Sequence, residues 1–170
     1  MRGQDELVLY LDFDGVLHHS NVFWSPEFDF HLRAPERYRL FQHVELLEML
    51  LRPYPSLDIV LSTSWAQGPH GSLERATSML SPALRLRVIG QTVYPEATTS
   101  RQLSRGQQIL ADVQQRQPKG WIAVDDVEDG FDLHRDQLVQ CHQYEGLDGA
   151  GVTEDLSKRL KELVRNGSNK

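Results

Sequence analysis

The chain has 170 residues, a net charge of −6, 39% apolar residues and 25% charged ones. That is enough for one domain with a buried core, and the acidic balance excludes a global basic field able to hold a polyanion, though a local basic patch stays open. Cys141 is the sole cysteine, which excludes an intramolecular disulfide, and no apolar run approaches the ~20 residues that span a bilayer.

The opening stretch, MRGQDELVLYL, turns acidic before its short apolar run, unlike a secretion signal. A cytoplasmic location without a membrane partner is therefore expected. Val8 to Leu11 form a continuous apolar run, as in a strand buried on both faces. The run ends in Asp12-Phe13-Asp14-Gly15. Carboxylates two apart on extended chain point to the same face, and such a pair costs energy unless it shares something positive. Residues 18–34 mix aromatic and polar side chains and read as a loop or small flap. From Pro35 onward, Tyr38, Phe41, Val44, Leu47 and Leu51 recur at helical spacing. They predict a helix with Pro35 in its first turn, ended by Pro53 and Pro55.

LDIVLSTSW predicts a second buried strand, ending in Ser62, Thr63 and Ser64. A helix over Ser72–Leu80, stopped by Pro82, comes next, and then a short strand in RLRVIGQTV. The polar link PEATTSR, residues 95–101, leads into a helix, RQLSRGQQILADVQQ. GWIAVDD is a third buried strand, ending in Asp125 and Asp126, and QLVQCHQY a fourth, with Cys141 in the core. GVTEDLSKRLKELV closes the fold as an amphipathic helix capped by Thr153, and residues 166–170 are expected to be a disordered tail. Strands alternating with helices predict an α/β fold, a parallel sheet covered on both faces, as one domain over residues 1–165.

In such sheets ligands bind at the carboxyl ends of the strands. There Asp12/Asp14, Ser62/Thr63/Ser64 and Asp125/Asp126 would share one edge. Several carboxylates at one point repel strongly unless they hold a hard divalent cation, and Mg²⁺ prefers oxygen ligands. Plainer readings stand beside this one. Asp12/Asp14 could be a solvated pair, Asp125/Asp126 a turn or helix cap, and Thr63 a hydroxyl bonded to backbone. His18 and His19 read as surface loop more readily than as substrate contacts, and nothing near them has zinc-binding spacing. Trp65 and Trp121 read as packing, and Asp129 and Asp132 as solvated loop. The chain has no P-loop, G-x-G-x-x-G, H-E-x-x-H or G-x-S-x-G.

YLDFDGVL resembles motif I of the haloacid dehalogenase (HAD) superfamily, IVLSTSW its motif II and IAVDD its motif IV. The order and spacing match from about Leu7 to Leu163. With its late GLDGAGVTEDL, the chain is similar to the small HAD domains found in RNA-repair proteins. This resemblance implies a Rossmann-like three-layer sandwich, capless or with only a small flap. It implies a Mg²⁺-dependent phosphatase that hydrolyses a phosphomonoester through an aspartyl-phosphate. The phosphorylated substrate would be a nucleotide, a nucleic-acid end or another phosphoester.

By the same resemblance Asp12 is the nucleophile and Asp14 the general acid and base. Gly15 lets the chain turn beside the metal. Asp12, the Asp14 carbonyl and Asp126 bind Mg²⁺, and Asp125 supports them. Thr63 donates to the phosphoryl group, with Ser62 and Ser64 left open for that role. The N–H groups of Phe13 and Asp14 face the phosphoryl oxygens. The motif III lysine is missing. Arg105 takes its place and Arg101 is the second choice, although arginine is not a lysine equivalent. That departure and the absent cap motivate a rival reading, a catalytically weak binding or regulatory module. Phosphoryl transfer to an acceptor other than water is a further alternative. Phe23, Trp24, Phe28 and Phe30 either pack the flap onto the body or stack a base.

Overall fold

Apolar runs too short to be stable alone pair side by side and bury both faces. The computed structural model describes residues 1–92 and 103–167. Its strands are β1 (Leu7–Leu11), β2 (Val22–Ser25), β3 (Asp29–Leu32), β4 (Asp58–Leu61), β5 (Val88–Gln91), β6 (Gly120–Asp125) and β7 (Leu138–Gln140). Its helices are α1 (Val44–Leu51), α2 (Leu73–Ser78), α3 (Pro82–Arg85), α4 (Arg105–Arg116) and α5 (Val152–Gly167). Five strands form an all-parallel sheet in the order β5-β4-β1-β6-β7, and β2 and β3 form a separate antiparallel hairpin. This is a HAD-like α/β sandwich. None of the helices among the described residues is long and apolar enough to cross a membrane.

Alternation along β1 sorts the core into two layers. Leu9 and Leu11 join a cluster with α1 (Leu47, Leu51) and α5 (Leu156, Leu160). Val8 and Tyr10 join the opposite cluster, with Ile109 of α4 and Phe131. A slip of one residue would exchange the layers, so burial on both faces fixes the register. In that register Leu11 pairs with Leu61 on one side and Val124 on the other. The chain order departs in opposite directions from β1, which places the switch point at its carboxyl end.

The helix predicted from Pro35 begins only at Val44. Residues 35–43 are held instead by the turn after β1. Phe41 has φ +58° and its N–H donates to His18 Nδ1, while the His43 N–H donates to the Leu17 carbonyl. Pro82, expected to stop a helix, starts α3 behind the N-cap Ser81. α4 starts at Arg105 because Ser104 and Gln107 form a capping box. Residues 93–102, the predicted link and Arg101 among them, lie outside the described residues. β7 is only three residues long. Cys141 just beyond it is buried, as expected. Thr153 lies inside the first turn of α5 rather than at its cap, and α5 runs into the predicted tail as far as Gly167.

α4 is fastened to the sheet by a buried polar triad. Tyr10 Oη donates to Asp112 Oδ2 at 2.7 Å, and Arg116 Nε and Nη2 bond the same carboxylate at 2.8 and 3.0 Å. Burial drives the Tyr10 phenol pKa up, so it stays a donor. Asp112→Ala leaves the guanidinium buried without its carboxylate, and a loss of about 3–5 kcal/mol in denaturant unfolding is expected. A loss below about 1 kcal/mol, the scale of an exposed ion pair, would show that the triad does not fasten α4.

Candidate active site

The register of β1, β4 and β6 delivers Asp12, Ser62 and Asp125 to one edge. The Asp12 N–H donates to the Val124 carbonyl at 3.1 Å, and the Ser62 N–H to the Leu11 carbonyl at 2.8 Å. One carboxylate oxygen each from Asp12, Asp125 and Asp126 lies within 4.8 Å of the others. Asp12 and Asp125 are buried and Asp126 is partly so. Gly15 makes room for this cluster. Its φ is +72°, and a Cβ there would come within 2.3 Å of Asp126 Oδ2.

Arg105 reaches in from the first turn of α4. Its Nη2 lies 3.6 Å from Asp12 Oδ2 and its Nε 3.6 Å from Asp125 Oδ2, while Nη1 donates to the Ser62 carbonyl. Gly106 lets the start of α4 lie against the loop at Asp129 and Gly130, since a Cβ there would meet the Gly130 carbonyl carbon at 2.4 Å. The guanidinium does not satisfy the cluster. Asp125 Oδ2 is buried without a hydrogen-bond partner, while Oδ1 accepts from the Val127 N–H at 2.9 Å. Burial pushes the Asp12 carboxyl up to about 7, with Asp14 and Asp126 adding to the rise and Arg105 opposing it. Burial also raises Asp125 well above the usual carboxylate range, and raises Asp126. An all-oxygen set with one orphaned buried oxygen fits a hard divalent cation such as Mg²⁺.

Asp14 stands apart. Its Oδ1 meets His18 Nε2 and Trp65 Nε1, each at 2.9 Å, and its side chain is 28% exposed. Thr63 Oγ1 accepts from the Trp65 N–H at 3.4 Å and caps the short 3-10 turn Ser64–Ala66. The backbone-bonding role for Thr63 therefore holds, and its own O–H remains a donor. Ser62 is buried with its Oγ unpartnered, whereas Ser64 is exposed. The Phe13 N–H, expected to face a phosphoryl group, donates to Asp12 Oδ1 at 2.7 Å.

The family described as "HAD domain in Swiss Army Knife RNA repair proteins" matches residues 8–152. The chain belongs to that family. No curated protein matches it. Within this HAD domain, motifs I, II and IV occupy neighbouring strand ends, and Arg105 lies between motifs I and IV. The flap is the β2–β3 hairpin, packed on the motif II side. Phe30 stacks on Trp65 with ring centroids 4.1 Å apart, and Trp24 stacks on His70 at 3.4 Å. Phe30 is a packing residue, while Phe23, Trp24 and Phe28 stay exposed.

His18 and Trp65 are the partners of Asp14 that sequence reasoning missed. His18, read as surface loop, is fully buried; so nearly is His19, which stacks on Tyr144 at 4.7 Å. The available signal was position: His18 follows Asp14 by four residues and Trp65 follows Thr63 by two. Asp129 and Asp132 are exposed, as expected of solvated loop.

The cluster's carboxyls hold protons more tightly folded than unfolded. Without a cation, their contribution to stability is present below about pH 4 and is lost as pH rises, for Asp12 toward its folded value of about 7. A cation offsets that loss. Mg²⁺ is expected to raise the melting temperature more at pH 8 than at pH 5, and an equal rise at both would contradict the charge cluster. Gly15→Ala, which displaces Asp126, is expected to shrink the Mg²⁺ response.

Proposed function

We propose that the protein is a Mg²⁺-dependent phosphatase that hydrolyses a phosphomonoester through an aspartyl-phosphate on Asp12. One observation carries the reading: the two aspartates of motif I lie in different surroundings. Asp12 sits among carboxylates and a guanidinium, whereas Asp14 is turned onto two N–H donors at a partly open position. Two carboxyls in contrasting environments suit different tasks.

Asp12 attacks phosphorus while the ester P–O bond breaks, and Asp14 gives its proton to the leaving oxygen. Asp14, now a carboxylate, takes a proton from the water that attacks the phosphoryl group. The Asp12–phosphorus bond breaks, releasing inorganic phosphate. Arg105 and the Thr63 hydroxyl hold phosphoryl oxygens, with Ser62 Oγ nearby. Asp12, the Asp14 carbonyl and Asp126 would hold Mg²⁺, with Asp125 in support. When bound, the cation neutralises charge on the transferring group.

The substrate reading is a nucleotide or nucleic-acid end, in the cytoplasm. Two features support it: the family's occurrence in RNA-repair proteins, and Phe23 and Phe28, exposed beside His31 on the hairpin face opposite Trp24, as a stacking surface. The test is phosphate release from small phosphomonoesters and from 5′- and 3′-phosphorylated oligonucleotides, with and without Mg²⁺. Release is expected only with Mg²⁺. Asp12→Asn should abolish it, and Asp14→Asn should lower it by about 10²–10⁴-fold. Turnover surviving Asp12→Asn would overturn the mechanism. Mg²⁺ binding without turnover of any substrate would make this a binding module.

A further inference from the structure

Asp14 receives both of its hydrogen bonds on one oxygen. His18 Nε2 and Trp65 Nε1 each lie 2.9 Å from Oδ1. Indole nitrogen is only a donor. His18 is likewise committed, because its Nδ1 accepts the Phe41 N–H at 3.2 Å. The ring hydrogen available to Asp14 is therefore the one on Nε2. Neither donor is free to turn away. His18 is fully buried and meets the Phe41 ring edge-on at 4.7 Å. Trp65 is 1% exposed, with Phe30 stacked on one side and Phe41 edge-on at 5.0 Å.

Burial alone would not aim two N–H groups at the same oxygen. An isolated carboxylate at this position could turn about its last torsion, or swing toward the cation cluster beside it. Two rigid donors on Oδ1 hold the carboxyl plane, so that Oδ2 is the oxygen left to carry a proton. Proton transfer to a leaving group depends on such placement, and small displacements at this step cost rate.

We propose that His18 and Trp65 are positioning residues that clamp Oδ1 of Asp14 and present Oδ2 as the proton-transfer atom. The inference rests on the phosphatase reading above. It also links the flap to the chemistry, since the indole that holds Asp14 is the one on which Phe30 of the hairpin stacks. Substitutions that loosen the hairpin then reach the acid through Trp65.

Trp65→Phe keeps an aromatic ring and removes the N–H. Two measurements on this variant and the wild type test the clamp. The first compares kcat/KM, which reports the step that expels the leaving group, on an alkyl phosphate, whose leaving oxygen needs a proton, and on p-nitrophenyl phosphate, whose leaving oxygen does not. Trp65→Phe is expected to lose roughly tenfold more on the alkyl ester than on the aryl ester. His18→Leu should behave alike, and His18→Gln, which can still donate, should recover part of the loss. Equal losses on both esters, or none, would overturn the proposal by making the two residues packing alone. The second reads the indole N–H by NMR, assigned by its disappearance in Trp65→Phe. In Asp14→Ala that resonance should move upfield. A resonance that stays in place would overturn the clamp even if the protein is a phosphatase. A wild type that turns over neither ester removes the phosphatase reading and this inference with it, an outcome distinct from both others.

Discussion

Repulsion among three carboxylates brought to one sheet edge is the constraint on which the rest of the structure depends. The parallel register makes it unavoidable. Once Leu11 lies between Leu61 and Val124, Asp12 and Asp125 must be neighbours. Burial on both faces of β1 holds that register, so hydrophobic packing stabilises an arrangement that electrostatics opposes. Arg105 offsets part of the repulsion. It reaches the cluster because a capping box starts α4 at that residue and the Tyr10–Asp112–Arg116 triad fastens the helix to the sheet. Asp125 Oδ2, buried without a hydrogen bond and met by Arg105 Nε only at 3.6 Å, marks how incompletely a single guanidinium satisfies the cluster.

The same edge separates the two aspartates of motif I. Gly15 leaves room for Asp126 beside motif I, while His18 and Trp65 hold the Asp14 carboxylate apart from the cluster. Thr63 caps the turn that brings Trp65 to Asp14. His18 is held from behind by the Phe41 N–H, which draws residues 35–43 out of a helix. A hairpin then packs onto the indole through Phe30. Local irregularities that look unrelated in the chain thus share one consequence, a carboxyl kept distinct from its neighbour.

The strands and their acidic ends were legible in the sequence because short apolar runs ending in Asp or hydroxyl residues report burial and position together. Asp12, Thr63, Asp125 and Asp126 could be placed at strand ends on that ground, and Arg105 only through the family resemblance, as the stand-in for the motif III lysine. What stayed hidden depends on contacts between distant segments. Tyr38 and Phe41 continue the apolar period of α1, yet a bond from Phe41 to His18 overrides it. Pro82 is the exception, because Ser81 before it makes a local N-cap that marks a helix start rather than the stop expected. Beyond their places just after motifs I and II, His18 and Trp65 carry no pattern that distinguishes an oriented donor from packing. Their role emerges when β1 and β4 are set side by side.

The claim at the centre is that the carboxylates gathered by the register form a site for one cation. Crystals of the protein grown or soaked with Mn²⁺, a scatterer able to stand in for Mg²⁺, give the most direct test through anomalous difference density. The account predicts a single strong peak at about 2.0–2.2 Å from carboxylate oxygens of Asp12 and Asp126, beside Asp125. Density absent there at saturating Mn²⁺, with Arg105 alone still bridging Asp12 and Asp125, would contradict it.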